Sequence, residues 1–334
     1  MPSIIDDLKN PLLLPDPTRN VSVVQTHISI VFVADEFVYK VKKPVNFGFL
    51  DFSTLEKRKH FCHEEVRLNR RLSRDIYIDV LPITFDGSQY SLKKGDQDAV
   101  EYAVKMKRIP DSQLMITAFQ EKRLTGDHLK NIAEILAAFH LKAATSPEIE
   151  EFGKPSRFKV NTDENFEQTE KYIGTSIPKK EFEFLKNWTK DFYAKNSGLF
   201  FQRIRSGRIR DCHGDLHMEH VCLTKPFSII DCIEFNDRFR FADTIADTAF
   251  LLMDLEYHDG RNHADELWGF YKKLAKEEGV EDLLTFYKVY RAFVRGKVNS
   301  FQIDDENIGR DEKEVAIQRA KKYFELAYSY VDTV

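Results

Sequence analysis

Apolar and polar positions alternate through residues 21–43, "VSVVQTHISIVFVADEFVYKVKK", where β-branched residues are frequent and "ADE" interrupts the run. A period of two with a polar break predicts a β-hairpin. From about Ser53 to Leu72 the period lengthens to that of a helix, with Asp51 or Ser53 able to cap its start. Extended segments follow at "YIDVLPITF", "SQYSLKK" and "VEYAVKMKRI", so the first hundred residues read as a mainly antiparallel sheet carrying one long helix. After Pro110 helical periodicity takes over, at about 126–145, 162–174, 180–195, 243–257, 261–278, 280–302 and 310–330, with one β-rich interruption at about 209–235. The pattern predicts an α+β chain of two lobes. A small antiparallel β-rich lobe covers 1–108, a larger and mainly helical lobe covers 109–334, and the two join near Met106 to Asp111.

Composition narrows the class. The chain has 334 residues, 42% of them hydrophobic, including 27 Phe, which is ample material for two packed cores and excludes a disordered or collagen-like protein. A net charge of -4 gives no global electrostatic case for nucleic acid or membrane surfaces. No apolar run is long enough to span a bilayer, and the acidic, proline-broken start "MPSIIDDLKNPLLLPDPT" is unlike a secretory or transit peptide. Cys62, Cys212, Cys222 and Cys232 form no CxxC pair, and each stands in an apolar or strand-like context suited to a small buried hydrophobe. These features predict a cytoplasmic protein. The pattern assigns no oligomeric state.

The chemistry concentrates in "DCHGDLHMEH", Asp211 to His220, which packs three histidines and three acidic residues into ten positions. Its core is His213-Gly214-Asp215-Leu216, with His220 five positions after Asp215 and Asp231 sixteen after it, in the strand-like "FSIIDCIEF". This spacing reproduces H-x-D-L-x-x-x-N and the later metal-binding aspartate of protein kinases. Phosphoryl transfer needs a carboxylate to orient and deprotonate a hydroxyl, ligands that hold a divalent cation against phosphates, and a cation on the nucleotide tail. Asp215 suits the first role, and Asp231 with His220 the second. For the third, alternation in "FVYKVKK" puts Val38, Lys40 and Lys42 on one strand face and Tyr39 and Val41 on the other. A lysine inside a strand needs an anionic partner; Lys40 is the first candidate to contact phosphates and Lys42 the second. In "FCHEEVRLNRRL", Glu65 shares a helical stripe with Phe61, Leu68 and Leu72, while Glu64 lies about a hundred degrees round, so Glu65 is the better partner for lysine.

The segments "THISIVFVADEFVYKVKKPVNFGFLDFSTLEKRKHFCHEEVRLNRRL", "DCHGDLHMEHVCL" and "IIDCIEFNDRFRFADTIADTAFLLMDLEY" together resemble the aminoglycoside phosphotransferase and choline kinase branch of the protein-kinase-like superfamily. More narrowly, the chain is similar to the bacterial aminoglycoside phosphotransferase-like family whose members are sometimes fused to a P-loop kinase domain, although no GxxxxGK[ST] occurs here. The resemblance implies a bilobal kinase-like fold and an ATP-dependent (or GTP-dependent) phosphotransferase acting on a hydroxyl of a small molecule. It implies that Lys40 contacts the α/β-phosphates, Glu65 fixes Lys40, Met106, Lys107 and Arg108 form the hinge whose backbone binds adenine, Asp215 is the catalytic base, His220 and Asp231 hold Mg²⁺, and Asp247 braces the catalytic loop.

Two departures qualify the resemblance. Histidine replaces asparagine at His220 and favours softer metals, so Glu234 becomes a further ligand candidate and Mn²⁺ an alternative ion. The "ADE" turn also lacks a Gly-rich loop to cradle phosphates. Both features equally suit a pseudokinase-like module that senses nucleotide or docks a partner. His213 is expected to pack beneath the catalytic loop, and His217 to face the acceptor or solvent. Arg291 and Arg295 share a helix face at i and i+4; turned toward the acceptor, they would select an anionic one. "RIRSGRIR", Arg203 to Arg210, is expected to be an exposed hairpin.

Overall fold

The structure is a computed structural model that describes residues 3–92, 98–306 and 308–332; Lys93 and Lys94 of the expected "SQYSLKK" strand lie outside the described residues. In chain order the elements begin with α1 (Ile4–Leu8), β1 (Ser22–Gln25), β2 (Ser29–Val33), β3 (Phe37–Lys42), α2 (Leu55–Asn69), β4 (Tyr77–Phe85), β5 (Tyr90–Ser91), β6 (Ala99–Lys107) and α3 (Met115–Gln120). Next come α4 (Gly126–Lys142), α5 (Pro147–Glu151), α6 (Pro155–Thr169), α7 (Lys179–Arg205), β7 (Ile209–Asp211), β8 (Val221–Cys222) and β9 (Ser228–Ile229). The chain closes with α8 (Asp237–Arg240), β10 (Phe241–Asp243), α9 (Thr244–Tyr257), α10 (Arg261–Ala275), α11 (Glu281–Phe301) and α12 (Arg310–Ser329). This is the mixed α+β class that the periodicity predicts.

Two compact units divide the chain, one of residues 1–123 with 219–237, the other of 124–218 with 238–334. The first is built on a six-stranded antiparallel sheet of order β1-β2-β3-β6-β4-β5. Alternation gives the sheet two faces. Tyr39, Val41 and Ala103 join Phe32, Ile83 and, from the N-terminal segment, Leu8 and Leu14 in one core. Tyr102 and Val104 join Cys62 and Val66 of α2 in the other. Lys40 and Lys42, out of phase with Tyr39, therefore fall on the α2 side. Thr54 rather than Asp51 or Ser53 caps α2, its hydroxyl accepting from the Lys57 N–H at 3.3 Å. Asp51 instead accepts from the Ser53 amide and pairs with Lys57.

Residues 219–237 lie far along the chain from this sheet, yet local bonds tie them to it. The Asn69 side chain at the end of α2 accepts from the Cys232 N–H at 2.8 Å and donates to the Glu65 carbonyl at 2.9 Å. The Leu223 amide donates to the Gln113 carbonyl at 2.7 Å, and Ser73 donates to the Ile229 carbonyl. The unit is thus discontinuous in sequence, a pairing that periodicity does not register.

The second unit packs α9, α11 and α12 around Phe250, Met253, Phe293, Tyr323 and Phe324, with Phe166 of α6 and Phe182 of α7 closing the core. α6 starts earlier than its apolar pattern because Pro155 occupies its first turn, a position where proline's missing N–H costs nothing. α7 runs on through Arg205, so "RIRSGRIR" is not an exposed hairpin: it is a helix end, a turn at Gly207 (φ 62°) and β7. Arg203 is buried, with two donors on the Asp243 carboxylate at 2.7 and 2.8 Å and a further ion pair to Glu277. A buried bidentate arginine and a solvated one look alike in sequence, which is why the basic run reads as exposed.

Where α11 crosses α12, Gly296 lets the helices approach: a Cβ there would stand 2.7 Å from the fully buried Phe324 ring. Gly296→Ala should therefore destabilise the second unit by about 1–3 kcal/mol despite alanine's better helix propensity, as overpacked cores do. Chemical denaturation followed by circular dichroism would measure it, and an unchanged or raised midpoint would contradict this packing.

Candidate active site

The first unit carries a buried lattice of charge. Glu65, 0% exposed on α2, stands between two lysines of β3: Lys40 Nζ is 2.9 Å from one carboxylate oxygen and Lys42 Nζ 2.6 Å from the other. Lys42, 1% exposed, also pairs with Glu234, and Lys40 Nζ reaches Asp231 Oδ1 at 2.7 Å. Burial alone would strip charge from Lys40, but Asp231 and then Glu65 outweigh it and hold the ammonium well above its ordinary pKa. Burial raises the Glu234 carboxyl against the pull of Lys42. For Glu65 burial pulls upward too, and the two lysines win and hold it below the ordinary range. Glu64, by contrast, faces out and pairs with Arg67 one turn along.

Asp231 is presented by an unusual backbone. Its φ is +62°, in the left-handed region, which aspartate tolerates better than most residues. Its N–H donates to the Tyr77 hydroxyl at 3.0 Å, and its side chain stays 43% exposed. His220 Nε2 lies 3.6 Å from Asp231 Oδ2, so an imidazole nitrogen and a carboxylate oxygen face one point while the other oxygen is on Lys40. That donor pair fits a divalent cation, and the imidazole makes Mn²⁺ a better match than in an all-oxygen site. Glu234, three residues on, is committed to Lys42 instead. At the end of β6, Met106 pairs with Val38 and Tyr77, while the Lys107 and Arg108 amides donate to the Ile76 and Glu36 carbonyls at 2.8 Å each. Both amides are thus already bonded within the first unit.

The second unit holds the Asp215 loop. Gly214 adopts φ +89°, open to glycine at no steric cost, and its carbonyl accepts from the Arg291 guanidinium at 2.9 Å. The buried Asp247 carboxylate, in the first turn of α9, accepts from the His213 amide at 2.7 Å and the Gly214 amide at 2.8 Å. Behind it, His140 Nε2 of α4 is 3.4 Å away, and His140 Nδ1 is 2.8 Å from the Tyr271 hydroxyl. Burial would raise the Asp247 carboxyl; the His140 hydrogen bond and charge, then His213 and Arg291, bring it down to about 2. His213 is fully buried, with Nδ1 accepting from the Asp215 amide at 3.3 Å. His217 is buried beside Phe250, and its Nε2 lies 3.6 Å from Asp215 Oδ2. Burial works against its charge, but Asp215 overrides it and raises the imidazole pKa.

The structure therefore groups Lys40, Glu65, Glu234, His220 and Asp231 in one unit, and His213, Asp215, His217, Asp247 and Arg291 in the other. Arg291 is buried and donates to the Gly214 and Ala246 carbonyls. Sequence reasoning passed over His140 and Tyr77, and it left Lys42 second. A signal for His140 was available: it stands four residues after Leu136 on the buried stripe of α4, where an imidazole must find a partner.

No family model matches the chain. The uncharacterised proteins Rv2004c of Mycobacterium tuberculosis and Mb2027c of Mycobacterium bovis are each 30% identical over 280 residues, which is 83% of this chain; the chain spans 54% of the length of each. Among solved structures, a choline/ethanolamine kinase family protein of Mesorhizobium loti superposes with a TM-score of 0.51 at 13% identity, covering 95% of this chain and 94% of that one. A Ralstonia eutropha protein assigned to the aminoglycoside phosphotransferases gives 0.50 at 12%, covering 93% and 92%. At these identities the likeness is one of fold.

Two outcomes follow from the charge lattice and the loop brace. Lys42→Met leaves two buried carboxylates short of a cation and should cost about 3–5 kcal/mol, with part of the loss recovered between pH 8 and 5 as a carboxyl takes a proton. Denaturation at the two pH values tests this; a loss below about 1 kcal/mol would contradict it. Asp247 has a depressed folded-state pKa, so its stabilisation is present above the ordinary value near 3.8 and is lost as pH falls through about 2. The stability gap between wild type and Asp247→Asn should accordingly be constant from pH 7 to 5 and narrow only below about pH 4.

Proposed function

We propose, for a chain that has the protein-kinase-like fold of the choline/ethanolamine kinases and aminoglycoside phosphotransferases, that it transfers the γ-phosphoryl group of ATP or GTP to a hydroxyl of a small molecule in the cytoplasm. The observation that carries this reading is Lys40, a charged lysine held between Glu65 and the half-exposed Asp231. An ammonium fixed on one side by a buried carboxylate and on the other by an accessible one can exchange the second partner for phosphate oxygens without leaving the first. Lys42 is enclosed by Glu65 and Glu234, so it is the positioning lysine and Lys40 the nucleotide-contacting one.

Within this reading each residue acts through its own contacts. Asp231 and His220 hold a divalent cation, which when bound supplies charge to the nucleotide phosphates. Asp215 orients the acceptor hydroxyl and takes its proton, with His217 beside the carboxylate keeping it in place. Asp247 and Arg291 fix the backbone that carries Asp215, through the Gly214 amide and carbonyl respectively. Such chemistry rests on placement and charge neutralisation more than on covalent steps. Membrane anchoring through a spanning helix has no support, since no helix among the described residues is long and apolar enough.

A second reading, a nucleotide-sensing module without turnover, is favoured by the imidazole of His220 and by hinge amides already bonded within the first unit. Calorimetric titration with AMP-PNP, with and without Mg²⁺ or Mn²⁺, separates these readings when paired with phosphorylation assays. We expect cation-dependent binding that Asp231→Ala abolishes, a loss of at least tenfold in affinity in Lys40→Met, and a fall of at least a hundredfold in turnover in Asp215→Asn with AMP-PNP binding unchanged. Tight binding with no turnover on any hydroxylated acceptor would favour the sensing module. Binding indifferent to the cation and to Asp231→Ala would also favour the sensing module, and no binding at all would sink both readings.

A further inference from the structure

The buried and half-buried arginines of the second unit have acceptors for their enclosed donors, with one exception among the described residues. Arg203 is paired with Asp243 and Glu277, Arg238 places two donors on Glu164 at 2.6 and 2.8 Å, and Arg240 pairs with Asp211. Arg291 spends its donors on the Gly214 and Ala246 carbonyls. Arg295, one turn further along α11, has no carboxylate within ion-pairing distance among the described residues, and its enclosed Nε has no hydrogen-bond acceptor. The side chain is half-buried, and an enclosed N–H without an acceptor runs against the general rule that buried polar groups are hydrogen-bonded. Arg295 lies one turn along α11 from Arg291, which holds the Gly214 carbonyl beside Asp215, and its charge is felt first by the Tyr323 hydroxyl and next by Asp215.

The surroundings extend the argument. Tyr257 and Tyr323 stack on one another, ring centroids 3.7 Å apart and planes within 9°. Arg295 lies over the Tyr323 ring at 5.6 Å and Lys322 over the Tyr257 ring at 4.8 Å, so the outer faces of both rings carry protein cations. Arg319 adds a further positive charge beside Tyr257. A quaternary ammonium seeks open aromatic faces and carboxylates. Here the faces are taken, and the Arg295 charge that acts on Asp215 would repel it.

Resting on the phosphotransferase reading above, we propose that the acceptor is an anionic hydroxyl compound, carrying a carboxylate or phosphate a few bonds from the reacting hydroxyl, and that the Arg295 guanidinium binds this anion. The hydroxyl is taken by Asp215, and the anion completes the hydrogen bonding and charge that Arg295 lacks. Arg295 thereby sets specificity against neutral and cationic acceptors, while the neighbouring Arg291 is structural.

The test is calorimetric titration of the AMP-PNP and Mn²⁺ complex with glycerol, glycerate, glycerol 3-phosphate and choline, for wild type, Arg295→Gln and Arg295→Lys, each checked for an intact melting transition. We expect glycerate or glycerol 3-phosphate to bind at least tenfold more tightly than glycerol and choline. Arg295→Gln should erase that preference and Arg295→Lys should keep part of it. A preference for glycerate over glycerol 3-phosphate, or the reverse, identifies which anion the site takes. The proposal is overturned if AMP-PNP binds but neither anion does, if choline or glycerol binds as tightly, or if Arg295→Gln leaves the preference unchanged. Loss of AMP-PNP affinity in Arg295→Gln would assign the guanidinium to the nucleotide and overturn it as well. Failure of wild-type protein to bind AMP-PNP at all would instead remove the phosphotransferase reading on which this rests.

Discussion

Glu65 is wholly buried, and a carboxylate removed from water persists as an anion only if cations stand against it. That requirement organises the first unit. Both lysines of β3 must turn toward α2, which fixes the phase of the strand and leaves Tyr39 and Val41 to build the opposite core. The lysines are then too many for one carboxylate. Glu234 and Asp231 complete the lattice, so the segment bearing them is drawn to the sheet although it lies far along the chain. The fold and the candidate nucleotide site are in this sense one electrostatic construction.

The second unit solves a comparable problem with backbone rather than side-chain partners. The Asp247 carboxylate receives two successive loop amides, and Arg291 grips the carbonyl of Gly214, so the loop is held from both polarities of one peptide neighbourhood. The left-handed Gly214 allows that double grip. His140 and Tyr271 support Asp247 from behind, and Asp243, which caps α9, is clamped by Arg203. Asp215 itself bears none of this burden. It stays half-buried beside His217, on a loop whose geometry the supporting residues fix.

Charge placement also separates two arginines that a helical wheel treats as equals. Arg291 and Arg295 are one turn apart on α11, yet the first is buried with its donors on two carbonyls and the second is half-buried with its enclosed Nε unsatisfied. A difference in neighbours, not in the residues, turns one into a brace and the other into a candidate specificity element.

By itself the sequence determined the α+β class, the strand phase of Lys40 and Lys42, the choice of Glu65 over Glu64 as the buried glutamate, and the extents of α4, α9, α11 and α12 to within a few residues. These follow from periodicity, which is a local property of the chain. Only the tertiary structure decided which carboxylate each lysine meets, that residues 219–237 belong with the sheet, that Arg203 is buried, and that His140 stands behind Asp247. Pairings of this kind join residues far apart in sequence, and an ionisable side chain carries no sign of its distant partner. Burial reverses its meaning: exposed, it is solvated and interchangeable; enclosed, it must find a specific opposite charge, as Arg203 does in Asp243 and Glu277.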